Sequence, residues 1–310
     1  MNTTKLKIKH TKKSSIIKRL KQYLYKNRGE HRMIKRSRIS INRIIYPKLK
    51  LEDFFKFVKD LGLNKIELRN DLPGGKIIDS YTPVQLKELS KKYAVEILTI
   101  NALQKFNLAT ILPETIKELK KLINLSLSID CKAIVLCPNN DINDKRSSEE
   151  IFKETVKALK SFGPLFQDSG MQGYLEPLGF EECSLRSIVT AMKAIQESGY
   201  PVYKIVHDTF HHHIGPDTFD TIKKDYDISY TGLVHISGVE CDIPVDEYRD
   251  NHRVLITEQD RLQTKEQIAL LLKLGYAGNI SFEPFSQKVQ EMEIEKIKSA
   301  IDHSIEYISK

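Results

Sequence analysis

From residue 38 onward, short runs rich in β-formers alternate with longer segments of helical period, and the unit recurs eight times with no Pro-, Gly- or Ser-rich linker between repeats. The strand-like runs fall at 39–42, 65–69, 97–101, 133–136, 173–176, 204–208, 232–235 and 279–283. Helical stretches are expected at 51–61, 83–93, 113–129, 149–162, 185–198, 265–274 and 289–307. Thr82 before Pro83 reads as an N-cap with proline in the first turn, and Gly62, Gly199 and Gly275 stand where helices should stop. Parallel strands need crossover connections, and these segments supply them. Eight consecutive strand–helix units argue for an α/β fold in which eight parallel strands close into a β/α (TIM) barrel rather than spread into an open doubly wound sheet. No Gly-x-Gly-x-x-Gly follows the first run, which weighs against a dinucleotide-binding fold.

Four of the runs end alike. In YLEPLGF, IVHDTFH, LVHIS and SFEPFSQ an apolar strand stops on Glu176, Asp208, His235 and Glu283, the ends of strands five to eight. Any one of these has an ordinary explanation: a loop acid, a helix N-cap at Asp208, a hydrogen-bonded core imidazole at His235. Together they project into one end of a barrel from neighbouring strands. Acids facing each other there are costly unless protonated or neutralised. Three carboxylates and one imidazole suit a single divalent cation, and the oxygen-rich, thiolate-free set favours manganese over magnesium, cobalt or zinc. His211 follows Asp208 by three residues and is a candidate for contact with substrate or metal. His212 and His213 are expected to be structural, and His207 should face the helices.

The longest gap between strands lies between the seventh and the eighth, and the segment at about 238–263 is expected to form a lid over the carboxyl ends of the strands, where barrel active sites are built. Charge is uneven along the chain. Residues 1–38 hold fourteen Lys and Arg against one acid, Glu30, so with a whole-chain net charge of +8 the remainder is net acidic. Residues 1–35 read as a basic, disordered extension, with Met33 an alternative start, and residues 36–310 as the catalytic barrel. The extension lacks an apolar run long enough for a signal peptide or a membrane span. Cys131, Cys137, Cys183 and Cys241 show no Cys-x-x-Cys spacing, which points to a reducing, cytoplasmic compartment.

At these residues the chain resembles the sugar isomerase and epimerase family with the xylose-isomerase-like barrel, and within it the inosose (2-keto-myo-inositol) isomerases. The family pattern places Glu at the end of strand five, Asp-x-x-His at six, His at seven and Glu at eight, matched here by Glu176, Asp208 with His211, His235 and Glu283. The resemblance extends to Asn42 on strand one, Glu67 and Arg69 on strand two, Asn101 on strand three and the Asp260-Arg261 pair in the lid. It implies that Asn42, Glu67, Asn101, His211 and Arg261 contact substrate. One departure touches specificity: relatives follow this arginine with a Pro/Gly-rich turn, whereas here the chain runs Leu262-Gln263-Thr264-Lys265. The implied reaction is isomerisation or epimerisation of a ketose or keto-polyol, with Glu176 and Glu283 moving a proton through a metal-stabilised enediolate. The implied partner is a small-molecule sugar or keto-inositol, with a homo-oligomer left open.

Two other reactions share this barrel. Dehydration of an inosose would need a further acid over the leaving hydroxyl, for which His211 or His213 could serve. Apurinic endonucleases require extra histidines at the ends of strands two and three, where this chain has Arg69 and Asn101. Its acidic barrel also argues against a nucleic-acid partner.

Overall fold

The computed structural model describes residues 34–310, of which residues 35–308 form one compact unit. The expected extension and Met33 therefore lie almost wholly outside the described residues. Eight strands pair in chain order: β1 (Ile39–Asn42), β2 (Lys65–Arg69), β3 (Glu96–Leu103), β4 (Ala133–Leu136), β5 (Gln172–Leu175), β6 (Tyr203–Asp208), β7 (Thr231–Ile236) and β8 (Asn279–Phe282). Every pairing is parallel, and β8 returns to β1, so the barrel is closed and no strand edge is left open.

The crossovers are α1 (Leu51–Asp60), α2 (Pro83–Tyr93), α3 (Leu112–Ser128), α4 (Ser148–Ser169), α5 (Ile188–Ser198), α6 (Thr209–Ile214), α7 (Phe219–Asp225) and α8 (Thr264–Leu274), followed by α9 (Gln287–Gln290) and α10 (Ile294–Ser309). Local chemistry explains where several begin. Thr82 and Gln85 form a reciprocal capping box with Pro83 in the first turn of α2, and Ser147 with Glu150 does the same for α4.

Three regions depart from the expected elements. Helix α4 runs seven residues past the predicted stop, through Gly163 and Pro164. Proline costs a helical hydrogen bond, but continuing the helix buries Phe166 completely, worth about 1.5–3 kcal/mol. Gly163 lies against the Tyr200 ring, where an added Cβ would come within 2.4 Å. The stretch expected as one helix over 289–307 is two, α9 and α10. Finally, α6 and α7 were not anticipated, because Thr-Phe-His-His-His-Ile has poor helix propensity. Tertiary packing and a cap on Asp208 hold α6 in place.

The residues facing the barrel interior fall into two halves. Leu98, Ala102, Val135, Cys137, Tyr174, Val206 and Leu233 make an apolar half toward β4–β7. Ser40, Asn42, Glu67, Thr99, Asn101 and Ser281 are buried as a polar half toward β8–β3. His207 has the opposite parity and hydrogen-bonds through Nε2 to Gln267 of α8 at 3.1 Å. The site sits at the carboxyl ends of the strands, above the junction of the two halves.

Candidate metal centre and active site

Glu176 and Glu283 each occupy the first position after their strands, and each backbone N–H still bonds to the neighbouring strand, to Leu136 at 3.0 Å and Ile236 at 2.9 Å. Asp208 closes β6 in register with His235 of β7. One ligand atom from each of Glu176, Asp208, His235 and Glu283 lies within 4.8 Å of the others, and all four residues are buried. His235 presents Nδ1 to this group, 2.8 Å from Glu176 Oε1, 3.1 Å from Glu283 Oε2 and 4.0 Å from Asp208 Oδ2. Asp208 divides its work: Oδ1 accepts the N–H groups of Phe210 and His211 at 2.7 and 3.0 Å, capping α6, while Oδ2 faces the cluster. The donor set of three carboxylates and an imidazole on one point fits a divalent cation.

Two arginines complete the electrostatics. Arg253 Nη2 donates to Asp208 Oδ2 at 2.6 Å and Glu283 Oε2 at 2.9 Å. Arg69 Nη1 donates to Glu283 Oε1 at 2.6 Å while its other face pairs with Asp71. Both guanidiniums lie over the Phe285 ring, at 5.0 Å for Arg69 and 4.7 Å for Arg253. Burial works to raise the Glu283 carboxyl, but His235, Arg253 and Arg69 outweigh it and hold it well below the usual range. Glu176 has no arginine contact, and burial pushes it upward; its Oε2 meets only the Cys137 thiol, at 3.6 Å. Asp208 is also raised by burial, which Arg253 only partly offsets. Burial disfavours the imidazolium of His235, yet the facing Glu283, Glu67 and Glu176 lift it well above the ordinary histidine value.

The remaining sequence candidates separate. Asn42, Glu67 and Asn101, expected to contact substrate, lie beneath the ligands with at most 1% of their surface exposed. Asn42 donates to Glu283 at 3.1 Å, Asn101 donates to Glu67 at 3.0 Å, and Glu67 faces His235. They form a supporting layer, because the strand ends above them, at Arg69 and Glu283, stand between them and the mouth. His211 is at the site wall: its ring packs edge-on against Phe180 at 5.1 Å, its Nδ1 has no partner, and burial with the nearby Arg253 charge depresses it to about 3.

Arg261 stands apart from the cluster. Its guanidinium is half-exposed and paired with Asp242 at 3.0 Å, away from the ligands. Asp260 turns inward instead and accepts the N–H groups of Val239, Leu262 and Thr264, leaving the adjacent Arg261 on the outer side of the turn. The arginine that enters the site is Arg253, eight residues earlier in the same segment. Only its tertiary position distinguishes it, since HRVL carries no strand or helix period. The segment over 238–263 is packed down: Gly238 bridges to Val254, and Val239, Tyr248 and Leu262 are buried with Phe180 and Phe210. A cleft of about 490 Å³ lies between this segment and the loop after β5, lined by Gly179, Phe180, Val245, Tyr248 and Arg249 among others.

Comparison with known proteins agrees with this geometry. The description xylose isomerase-like TIM barrel matches residues 55–310. The chain belongs to that family. A xylose isomerase domain-containing protein of Salmonella typhimurium LT2 is 39% identical, with a TM-score of 0.84 over 89% of this chain and 99% of that one. The inosose isomerase of Halalkalibacterium halodurans is 26% identical over 262 residues, covering 82% of this chain and 92% of the relative. The IolI protein, solved with a bound zinc atom, superposes with a TM-score of 0.80 at 20% identity, over 88% of this chain and 98% of that one. The match covers between 92% and 99% of the length of these three relatives.

Proposed function

We propose that this protein is a divalent-metal-dependent isomerase or epimerase of a ketose or keto-polyol, with an inosose as its substrate. The observation that carries the reading is the convergence of Glu176, Asp208, His235 and Glu283 on one point at the mouth of the barrel. The inosose isomerase relatives support the substrate class. The oxygen-rich donor set favours manganese, and the zinc of the IolI protein makes zinc the competitor to test.

A divalent cation held by these four residues would polarise the substrate carbonyl and its neighbouring hydroxyl. Glu176 is placed to move the proton. Its Oε2 is untied apart from the Cys137 thiol, whereas both oxygens of Glu283 are engaged by Arg69, Asn42 and Arg253. Glu176 takes the proton from the carbon beside the carbonyl, and the electron pair passes to the carbonyl oxygen. Return of that proton to the former carbonyl carbon, with the hydroxyl proton passing to the former carbonyl oxygen, completes isomerisation. Return from the opposite face by a second carboxyl, for which Glu283 is the candidate, completes epimerisation. Arg253 and Arg69 hold the Glu283 carboxyl in position. Dehydration would need an acid over the leaving hydroxyl, and burial depresses both candidates, His211 to about 3 and His213 below the ordinary histidine value. No helix among the described residues is long and apolar enough to cross a membrane, and four free cysteines support a cytoplasmic assignment.

The test is proton NMR in deuterated water of manganese-loaded, zinc-loaded and metal-stripped protein with 2-keto-myo-inositol and a panel of ketoses. Metal-dependent deuterium uptake with an isomeric product is expected. Loss of water from the substrate would move the reading to a dehydratase, and absence of exchange with every compound despite bound metal would overturn it.

A further inference from the structure

Glu67 is the one carboxylate of the barrel interior that lies outside the ligand cluster yet touches a ligand. It is fully buried on β2, and its Oε2 lies 3.1 Å from Nε2 of His235, on the far side of the imidazole from the cluster. The same oxygen accepts from Thr99 Oγ1 at 2.6 Å and Asn101 Nδ2 at 3.0 Å, and Oε1 from Asn42 Nδ2 at 3.4 Å. Groups from β1 and β3 thus fix the β2 carboxylate against a ring carried by β7, across the width of the barrel. Thr99 and Asn101 are neutral donors to Oε2, so the imidazole is the one hydrogen-bond partner of that oxygen able to carry a positive charge.

We infer that Glu67 is a positioning residue for the metal centre: by accepting the Nε2 proton of His235 it fixes the ring orientation and the tautomer in which the Nδ1 lone pair faces Glu176, Asp208 and Glu283. The reason is simple. A neutral imidazole carries one N–H, and a carboxylate that can only accept determines which nitrogen keeps it. A carboxylate behind a ligating histidine also raises the basicity of the ligating nitrogen. This assigns Glu67 a role distinct from substrate contact and explains why an acid stands in the polar half of a barrel interior with only 0% exposure. The inference rests on the metal-dependent reading above.

The test compares wild type with Glu67→Gln, whose amide oxygen can still accept from His235 but carries no charge. Manganese and zinc affinities are measured by chelator competition, beside the melting temperature of the metal-free proteins. Metal affinity about 10- to 100-fold weaker in Glu67→Gln, with the metal-free melting temperature within a few degrees of wild type, is expected. Affinity within twofold of wild type, or a rise in KM alone, overturns the inference. Because the variant could lose its fold, wild-type zinc-loaded protein is examined as well. An exchange-protected, low-field Nε2 proton that disappears in His235→Asn is expected, and its absence also overturns the inference. If wild type itself holds neither metal, the metal-dependent reading fails instead, so the two failures are distinguishable.

Discussion

Arg253 places a fully buried guanidinium between Asp208 and Glu283, and if it is removed Asp208 loses its main counter-charge and Glu283 one of three. Breaking such a pair costs more than the pair contributes, because a charge is left buried without a partner. Arg253→Met is therefore expected to destabilise the metal-free protein by about 3–5 kcal/mol, and a bound divalent cation should restore much of that loss. Thermal melts with and without manganese check it; equal losses in both states would refute the compensation. At the same scale Glu283→Gln should keep the fold but weaken metal retention and abolish solvent deuterium exchange. Full exchange activity in that variant would remove Glu283 from the machinery. The convergence of Glu176, Asp208, His235 and Glu283 was legible because each ends an apolar run, so periodicity alone assigns their direction. Arg253 was not, because an irregular segment has no period from which to read where a side chain points.

The element that most shapes the site is α6, a six-residue helix of weak intrinsic propensity held by the Asp208 cap and by packing of Phe210 and His211. It brings two buried imidazoles into an apolar layer, and β6 adds His207. Burial depresses His207 to about 4 and His211 and His212 to about 3. These folded-state values lie below the unfolded value of about 6.5, so the unfolded chain binds the additional protons. Their contribution to stability is complete above pH 6.5 and is lost as pH falls from 6.5 toward the folded values. His212 has no hydrogen bond on either ring nitrogen and stacks obliquely on His207 and Phe219. His212→Phe should remove one such term, on the order of 2 kcal/mol between pH 6.5 and pH 5, and flatten the acid limb of the melting curve. Melting temperatures at pH 5 and pH 7.5 measure this, and an unchanged difference would show that His212 is not what titrates.

At the scale of the whole molecule, binding of a divalent cation is expected to release a proton. His235 is held charged in the metal-free protein by Glu283, Glu67 and Glu176, and its Nδ1 must lose a proton before it can ligate. The sign is opposite to that of α6: the folded value is raised, so this ion-pair stabilisation is complete below about pH 6.5 and fades as pH climbs through the folded value. Metal affinity should accordingly increase by about tenfold per pH unit around neutrality. Calorimetry in buffers of different ionisation enthalpy reads the released proton directly. A pH-independent affinity would mean that the imidazole is already neutral.

The barrel and the convergence of its four polar strand ends follow from the sequence by itself, because a strand's period of two residues and its abrupt polar end are local properties, and eight parallel strands joined by seven crossovers leave few ways to close. What lies across the barrel or in a loop was decided by tertiary structure. Arg261 could not be told from Arg253 until the turn around Asp260 aimed one outward while the packed segment carried the other in. Glu67 looked like a mouth residue until closure of the barrel set it behind His235, 168 residues further along the chain. Direction along a strand is local, but which two side chains meet across a closed barrel depends on register and closure, and these exist only once all eight strands are in place.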